Sequence, residues 1–554
     1  MAKPAGEAQA AFDRGEWGNA YRGLAPVAAA GELSVDDLDR LATAAYLTGR
    51  DEEAFTHWAR AHQDTAAAGD VIRAVRFGAR LASVIGFKGD IGRASGWAER
   101  TRRFVDDAQL DCVETGYLDH AAATCRVFET GDFAGAAAMF ARARKTGQRF
   151  RDRELVALAQ IGEGRCLIYL GDVAEGVALL DEGIVAVEAG DVSPINTGDA
   201  YCTVIDGCHE LFDLRRCHAW ATSFTRWCDI QPDLVLYRGQ CLLHRADVML
   251  LRGEWTIGAD EAIEACRRLA EPVNLLTLGR AHYLAGDYHR LRGAFDEAEA
   301  AYETANENGC EPQPGLSLLR LAQGDHRSAD ASIRRQLAEA PGPVARARVL
   351  DAYIQIVLAG DDLTAAGAAA EDLATVAAGL GSPFLRAQAS RANGALHLAA
   401  GEPAQALVAL RGARREWSEL EAPYDAARTR VLIAAACRAL GDSDGEALEL
   451  RTARVAFANL GAAPDLAALS APAPSATERE LQGLLTNREA EIPSLIAAGM
   501  TNRAIANDLA VSEKTVASHI SHILTKLNVP SRAAATAYAY DHGLIAPSGR
   551  RTSS

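Results

Sequence analysis

Glycine residues recur along most of this chain at intervals of about 40 residues, and a regular internal period constrains a fold more than any single motif does. They are Gly49, Gly89, Gly131, Gly171, Gly253, Gly293, Gly360, Gly401 and Gly441. A double interval of 82 residues after Gly171 holds one degenerate unit near Leu211–Leu214. Because glycine ends helices and permits tight turns, this period predicts a stack of helical hairpins.

A second pattern follows these glycines, in which a small residue, a large residue and another small residue are spaced by four and three positions. It recurs as Ala54, Trp58 and Ala61; Ala136, Phe140 and Ala143; Ala298, Tyr302 and Ala305; and Ala406, Leu410 and Ala413. Such residues share one helix face, and the alanines allow two helices to approach closely. A hairpin of this kind is covered only by its neighbours in the stack.

This spacing resembles the second helix of the tetratricopeptide repeat (TPR), although the period here exceeds the 34 residues of that family. The resemblance implies a TPR-like superhelix over residues 10–462, with a concave groove for a peptide, a protein or a small effector. A plain scaffold without any ligand site is the alternative. The pattern is blurred between residues 190 and 265, where we expect a longer loop within Ile195–Ile230.

Composition supports an all-α class. The chain has 554 residues, of which 49% are hydrophobic and only 6% aromatic, and such a composition suits helices rich in alanine and leucine better than a β-sandwich. No apolar leader and no uncharged apolar stretch of about 18 residues occurs, so we expect a cytoplasmic protein without a membrane span.

Charge is distributed unevenly along the chain. Residues 485–554 carry a net charge of +2, whereas residues 1–484 carry −19. The long N-terminal part therefore lacks the basic field that binds nucleic acid, and any DNA contact is expected from a small surface near the C-terminus.

Eleven cysteines are present, and five of them fall between Cys202 and Cys241. His209, His218 and His244 lie among these five cysteines, but no C-x-x-C pair occurs. Buried reduced thiols are the favoured interpretation, with a metal or redox site as the alternative. We expect no metal and no cofactor.

A basic cluster interrupts the acidic N-terminal part. It consists of Arg142, Arg144, Lys145, Arg149, Arg151 and Arg153. A solvated face paired with nearby acids is the favoured interpretation, and a site for an anion or an acidic partner is the alternative.

In the C-terminal part the sequence predicts four helices after a linker over residues 463–484. Thr486 and Glu489 form a capping box for a first helix that ends at Gly499. Thr501 and Asn502 begin a second helix, and Ser512 caps a third helix over Glu513–Leu527. A fourth helix over Arg532–His542 follows Ser531, so the domain spans residues 485–546 and a disordered tail spans residues 547–554.

Two short helices, a three-residue turn and a longer helix form a helix-turn-helix. The motifs Leu485-Thr-x-Arg-Glu-x-Glu, Ala498-Gly-x-Thr-Asn-Arg-x-Ile-Ala and Val511-Ser-x-Lys-Thr-Val-x-x-His519 closely resemble the LuxR-type DNA-binding domain. The whole chain resembles TPR-containing LuxR-family transcriptional regulators. Its layout is similar to the C-terminal half of MalT-like regulators, without the ATPase.

This resemblance implies roles for residues of the second and third helices. Thr501 and Asn502 would hold a phosphate, and Lys514 and Thr515 would touch the DNA backbone or a base edge. The residues expected to enter the major groove are Ala517, Ser518, Ser521 and His522. The further phosphate or packing positions are His519, Lys526 and Arg532, of which His519 is equally consistent with a structural histidine.

Two features depart from the family pattern. Pro493 falls inside the first helix, where it removes a hydrogen bond and should kink or loosen the helix. The side chains expected in the groove are small, so specificity would depend on DNA shape, water or contacts with thymine methyl groups.

Motifs of catalysis and of ATP-driven switching are missing from the sequence. Gly86–Arg93 lacks the Lys-Ser/Thr pair of a phosphate-binding loop, and no G-x-S-x-G or H-E-x-x-H occurs. We therefore expect a protein that is not an enzyme.

Two functional hypotheses follow from the sequence. The first is a transcriptional regulator that binds a promoter inverted repeat as a homodimer, contacts RNA polymerase and senses a small-molecule or protein effector through its repeats. Its dimer contact would lie on the fourth helix, at Ala533, Ala534, Ala537, Tyr538 and Tyr540. The second is an interaction scaffold whose helix-turn-helix is vestigial or binds protein.

Overall fold

A computed structural model of the chain describes residues 2–31, 33–231 and 233–470 in the N-terminal part. In the C-terminal part it describes 492, 495–496, 500–508, 512–526, 529 and 531–535. The chain divides into two compact units, Met1–Leu466 and Ala467–Ser554. The described residues contain helices and one isolated β-bridge, between Ala270 and Val273, and no strand. The protein is all-α.

The first unit is an uninterrupted series of helical hairpins. Each hairpin consists of one odd-numbered and one even-numbered helix. The odd-numbered helices contact one another from hairpin to hairpin and form an inner layer. They are α1 (Ala2–Asp13), α3 (Val35–Leu47), α5 (Val71–Phe87), α7 (Glu114–Thr130), α9 (Arg153–Leu170), α11 (Pro194–Glu210), α13 (Arg238–Arg252), α15 (Leu275–Arg292), α17 (Gly315–Ala322), α19 (Gly342–Ala359), α21 (Pro383–Ala399) and α23 (Pro423–Ala439).

The even-numbered helices form the outer layer and bury a single face each. They are α2 (Trp17–Ala29), α4 (Asp51–Ala67), α6 (Ile91–Asp107), α8 (Phe133–Phe150), α10 (Val173–Glu188), α12 (Leu214–Asp229), α14 (Trp255–Ala270), α16 (Phe295–Glu307), α18 (His326–Glu339), α20 (Leu363–Leu380), α22 (Pro403–Glu419) and α24 (Ser443–Leu460). A short helix, α25 (Ala463–Ser470), follows.

The spacing of small and large residues predicts the buried face of the outer helices correctly. Ala136, Phe140 and Ala143 of α8 are all buried. The same holds for the corresponding residues of α4, α16 and α22, which are Ala54, Trp58, Ala61, Ala298, Tyr302, Ala305, Ala406, Leu410 and Ala413. The alanines bring the paired helices together, and the large side chain between them fills the space to the next hairpin.

Most of the predicted glycine turns are confirmed. Gly131 ends α7 in the left-handed conformation with φ 64°, and the following Asp132 accepts a hydrogen bond of 2.8 Å from the backbone N–H of Gly135 at the start of α8. Glycine thus stops one helix and aspartate caps the next. Gly360 is an exception, because its φ is −101° and the left-handed residue is Asp361.

One expectation about the path of the chain is wrong. The residues Ile195–Ile230, expected to hold a longer loop, form the hairpin of α11 and α12. Its glycine is replaced by Phe212, which itself adopts a left-handed φ of 55°, and this replacement explains the interruption of the glycine period. The predicted linker over residues 463–484 begins with the helix α25.

The superhelix contacts itself where distant hairpins meet. The indole N–H of Trp17 donates to the side chain of Gln231, 214 positions away, at 3.0 Å. The rings of Phe212 and Phe384 stack with centroids 5.5 Å apart, and the backbone N–H of Val235 donates to Leu47 at 2.9 Å. These contacts join successive turns of the superhelix, which a stack with neighbour contacts alone would leave open.

The inner wall also carries charged side chains in compensating sets. Arg280 forms ion pairs with Asp206 and Asp247 on the two preceding inner helices. Arg391 pairs with Asp351 at 2.8 Å and with Asp425 at 2.7 Å. Such buried charges persist only when they are paired, so these sets fix the relative positions of consecutive inner helices.

None of the described helices is long and apolar enough to cross a bilayer.

Candidate nucleic-acid interface

Two helices form the described part of the second unit, α26 (Asn502–Asp508) and α27 (Glu513–Lys526). Thr501 caps α26 by accepting a hydrogen bond of 3.2 Å from the backbone N–H of Ala504. Ser512 caps α27 by accepting one of 3.0 Å from Thr515. These caps satisfy backbone donors that a helix start leaves free, and they confirm where the sequence places the two helix starts.

A small apolar core fixes the two helices against each other. On α27 the buried residues are Val516, Ile520 and Ile523, spaced by four and three positions. They pack with Ile505 and Ala506 of α26 and with two isoleucines nearer the N-terminus, Ile492 and Ile496. This stripe determines which face of α27 remains outside, because residues between the buried positions must point away from the core.

The outward face of α27 carries the residues predicted for the DNA groove. The exposed side chains are Glu513, Lys514, Thr515, Ala517, Ser518, Ser521, His522, Thr525 and Lys526. His519 lies at the edge of this face and is half-buried. A helix with one buried stripe and one continuous polar face is the geometry by which a recognition helix enters a major groove.

Two exposed residues of this surface were not predicted as binding residues. Arg503 is exposed on α26, one position after Asn502, and Thr525 extends the outward face of α27 by four positions beyond Ser521. The spacing of Thr525 could have identified it, because it continues the series that begins at Ser518. Arg503 is a charged side chain of the kind that contacts phosphates.

Arg532 has partners inside the domain. Its guanidinium donates to the side-chain oxygen of Asn502 at 2.6 Å and to the backbone carbonyl of Met500. Asn502 and Arg532 thus connect the start of α26 to the segment after Ser531. Between the two predicted roles of Arg532, this geometry favours packing over a phosphate contact.

Several predictions lie outside the described residues. They concern the capping box Thr486–Glu489, Pro493, the helix end at Gly499, the tail 547–554 and the dimer residues Ala537, Tyr538 and Tyr540. Of the remaining dimer residues, Ala533 is exposed and Ala534 is half-buried.

The basic cluster of the first unit is largely paired with acids of neighbouring helices. Arg144 pairs with Glu163 at 2.7 Å and Arg142 with Asp119 at 3.2 Å. Arg149 pairs with Asp111, and Arg153 with Asp191 at 3.3 Å. Lys145 and Arg151 are exposed. This pairing favours a solvated face over an anion site.

The cysteines between Cys202 and Cys241 are free thiols, four of them buried and Cys202 half-buried. Burial raises the pKa of Cys208 to about 12, so this thiol remains protonated at neutral pH. No group of His, Cys, Asp and Glu in the described part of the chain is arranged to hold a metal. The geometry favours core packing over the metal alternative.

The fold and the site define the class of this protein: a TPR-like superhelix of helical hairpins joined to a helix-turn-helix domain. Residues 483–539 match the family of bacterial regulatory proteins, luxR family. Over 66 residues the chain is 48% identical to the response regulator protein VraR of Staphylococcus aureus (strain Mu3 / ATCC 700698) and to VraR of Staphylococcus saprophyticus.

That match covers 12% of this chain and 32% of each relative, so the chain spans about a third of the length of the curated relatives it matches. The C-terminal domain is a LuxR-family DNA-binding domain, and the domain content is that of a transcription regulator.

Two solved structures match the chain at low identity. The APC/C hetero-tetramer Cut9-Hcn1 matches at 12% identity with a TM-score of 0.35, over 84% of this chain and 95% of that chain. Yeast Tom70 matches at 10% identity with a TM-score of 0.30, over 81% of this chain and 98% of that chain. Both scores are low, and the repeat architecture rests on the hairpins of this chain.

Proposed function

We propose that this chain is a sequence-specific DNA-binding transcriptional regulator, and that its superhelix senses an effector and controls the C-terminal domain. The observation that carries the first part is the outward face of α27, a continuous polar surface above the buried stripe Val516, Ile520 and Ile523. Surface helices commonly keep such a face, but α27 is the second helix of a helix-turn-helix within the residues that match the luxR family of bacterial regulatory proteins, and this supports a role in DNA recognition. The protein would bind without catalysis and would act in the cytoplasm, where bacterial DNA lies.

The proposed contacts differ in what they contribute. Lys514 and Lys526 stand at opposite ends of α27 and would contact phosphates, which supply affinity that depends on salt. Ser518, Ser521 and His522 lie between them and would face base edges. Thr501 and Thr515 would position the domain on the backbone.

A homodimer is proposed because one recognition helix reads only a few base pairs. Two copies related by a two-fold axis would bind an inverted repeat with half-sites about one DNA turn apart, roughly 34–36 Å. Footprinting of the bound chain tests this proposal: two protected half-sites support it, and a single half-site under a monomeric complex contradicts it. RNA polymerase is the proposed partner of the DNA-bound dimer.

Control by an effector is proposed from the architecture of the superhelix, whose inner helices form a wall along which a ligand can bind. The proposed effector is a small molecule or a protein. An effector changes DNA affinity only if it binds one conformational state more tightly. A 100-fold change corresponds to about 2.7 kcal/mol of coupling.

The test of DNA binding is fluorescence anisotropy of the full chain on duplex DNA over a series of salt concentrations. With roughly three to five phosphate contacts per half-site, the logarithm of the affinity should fall by about 0.9 per contact for each tenfold rise in salt. Lys514→Ala should weaken binding and reduce the slope by about 1 per half-site, hence by about 2 for the proposed dimer. Lys145→Ala, which removes another exposed lysine, on α8, is the matched control and should change neither. A salt-independent affinity would support the scaffold hypothesis instead.

A further inference from the structure

A cavity lies in the first unit where two turns of the superhelix meet. Its volume is about 580 Å³, within the roughly 300–1,000 Å³ of sites that hold small organic ligands. One wall consists of the turn between α11 and α12 and the start of α10. The other consists of the turn between α20 and α21 and the end of α22. The cavity is therefore built from hairpins that are distant in the chain.

Two contacts join these walls. The rings of Phe212 and Phe384 stack with centroids 5.5 Å apart, and the Ser382 hydroxyl donates to the backbone carbonyl of Phe212 at 3.4 Å. Because Phe212 and Ser382 themselves line the cavity, its shape depends on how the two turns of the superhelix contact each other.

Apolar side chains form part of the lining, and water still reaches them. Four of these side chains are half-buried: Val173, Val177, Leu214 and Leu420. A ligand with an apolar body would remove their remaining surface from water, which is favourable in proportion to the area covered.

Four arginines and three carboxylates also line the cavity, an excess of one positive charge. Two of the arginines have carboxylate partners within the lining. Arg216 pairs with Asp213 at 2.8 Å, and Arg386 lies 3.7 Å from Glu416. These two pairs account for two of the three carboxylates.

The other two arginines, Arg215 and Arg415, have no such partner. Arg215 lies in the first turn of α12 and Arg415 near the end of α22, so they approach the cavity from opposite walls. Both are exposed, and neither guanidinium forms an ion pair or a hydrogen bond with another residue that the structure describes. The third carboxylate, Glu419, is exposed as well and offsets only one of the two charges. A ligand can therefore reach both guanidinium groups from solvent.

We propose that this cavity binds a small organic carboxylate, whose anionic group accepts from Arg215 and Arg415 while its apolar body packs on Val177 and Leu420. The planar fork of a guanidinium matches a carboxylate, and bonds between charged groups are stronger than those between neutral ones. The single excess positive charge favours a monoanion over a doubly charged phosphate. The role of this ligand as the effector rests on the function proposed above, whereas the binding site itself rests on the cavity.

The experiment is isothermal titration calorimetry of the full chain at about 50 mM salt, because salt screens exposed charges. Three probes of similar size and different charge are compared: 4-phenylbutanoate, 4-phenylbutan-1-ol and 4-phenylbutylammonium. The carboxylate probe should bind at least about fivefold more tightly than the other two, because only it accepts charge-assisted bonds from the arginines. Acetate and inorganic phosphate, which lack an apolar body, should bind more weakly than 4-phenylbutanoate.

Variants assign the binding to this cavity. The double variant Arg215→Gln and Arg415→Gln retains much of the side-chain length, removes both charges and should weaken 4-phenylbutanoate at least about fivefold. Val177→Trp enlarges a side chain of the lining and should abolish binding. The matched control is the double variant Arg335→Gln and Arg411→Gln, which removes exposed arginines on α18 and α22 that do not line the cavity. It should bind as the wild type does.

Helical circular dichroism verifies that each variant is folded. The double variant Arg215→Gln and Arg415→Gln changes exposed side chains only, so it remains decisive even if Val177→Trp does not fold.

The proposal is overturned by any of four results. These are no binding of 4-phenylbutanoate at about 10 mM, tenfold above a 1 mM dissociation constant; equal affinity for the three charge probes; acetate or phosphate binding as tightly as 4-phenylbutanoate; and unchanged affinity in the folded double variant Arg215→Gln and Arg415→Gln.

DNA affinity is measured separately on the same chain with and without 4-phenylbutanoate. Binding of this probe without any change in DNA affinity supports the site and refutes its role as effector. Absence of DNA binding refutes the proposed function and leaves the site intact.

Discussion

Arg391 offers a sharp test of how the inner wall is stabilised. This side chain on α21 is 4% exposed, and it joins Asp351 of α19 to Asp425 of α23 through ion pairs of 2.8 and 2.7 Å. Its guanidinium also lies 5.6 Å from the ring centre of Trp417. The substitution Arg391→Met retains much of the apolar volume and leaves two nearly buried carboxylates without a cation.

The expected loss follows from this burial. Removal of one partner from a buried ion pair costs about 3–5 kcal/mol, because the remaining charge is left uncompensated. The matched control is Arg267→Met, which removes an arginine that is 70% exposed in its pair with Glu264. Exposed pairs contribute about 0–1 kcal/mol, so this variant should resemble the wild type.

The assay is urea unfolding of the full chain followed by helical circular dichroism. A stack of repeats need not unfold in one step, so hydrogen exchange of α19, α21 and α23 should accompany it, and we expect Arg391→Met to lose protection in these three helices. Adding Asp351→Asn and Asp425→Asn should recover much of the loss, because the unpaired charges are then removed. A loss no larger than that of Arg267→Met would refute the reasoning.

Three further predictions concern single positions. Ile523→Ala should destabilise the C-terminal unit by about 2–5 kcal/mol in thermal unfolding, whereas the exposed neighbour Ser521→Ala should leave its stability unchanged. Ser512→Ala removes the cap of α27 and should cost about 0.5–2 kcal/mol in the same assay. Because burial raises the pKa of Asp199 to about 7, above the unfolded value, the contribution of this carboxyl group to stability should fall as the pH rises from about 4 through 7, whereas the lowered pKa of His120 and His244 acts in the opposite direction. The free energy of unfolding of Asp199→Asn relative to the wild type should therefore rise over this range, by at most about 4 kcal/mol, and a constant difference between the two proteins would contradict it.

The sequence predicted those features that arise from short-range geometry. The spacing of Ala136, Phe140 and Ala143 identifies a buried helix face because helical periodicity is local, and the same logic separates Val516 and Ile520 from the outward residues of α27. The left-handed conformation of Phe212 could not be predicted, because a bulky residue such as phenylalanine rarely adopts a positive φ.

Contacts between distant parts of the chain could not be predicted. The bond between Trp17 and Gln231 depends on the curvature accumulated over several hairpins, which no local pattern encodes. The partners of Arg144 and Arg149 depend on how neighbouring hairpins are aligned. In the sequence Asp199 is an ordinary polar residue of a helix, and its burial near Lys88 and the Tyr237 hydroxyl becomes visible only in the folded superhelix.

Selection of binding sites from genomic DNA fragments by the full chain tests the central claim most directly. It should be run beside the double variant Ser518→Glu and Ser521→Glu, which places negative charge on the outward face of α27 and leaves its buried stripe intact. The wild type should enrich an inverted repeat with half-sites about 10 base pairs apart, and the folded variant should enrich none, because the added carboxylates repel the phosphates. Failure of the wild type to enrich any sequence, or equal enrichment by the variant, would contradict the assignment of α27 as the recognition helix.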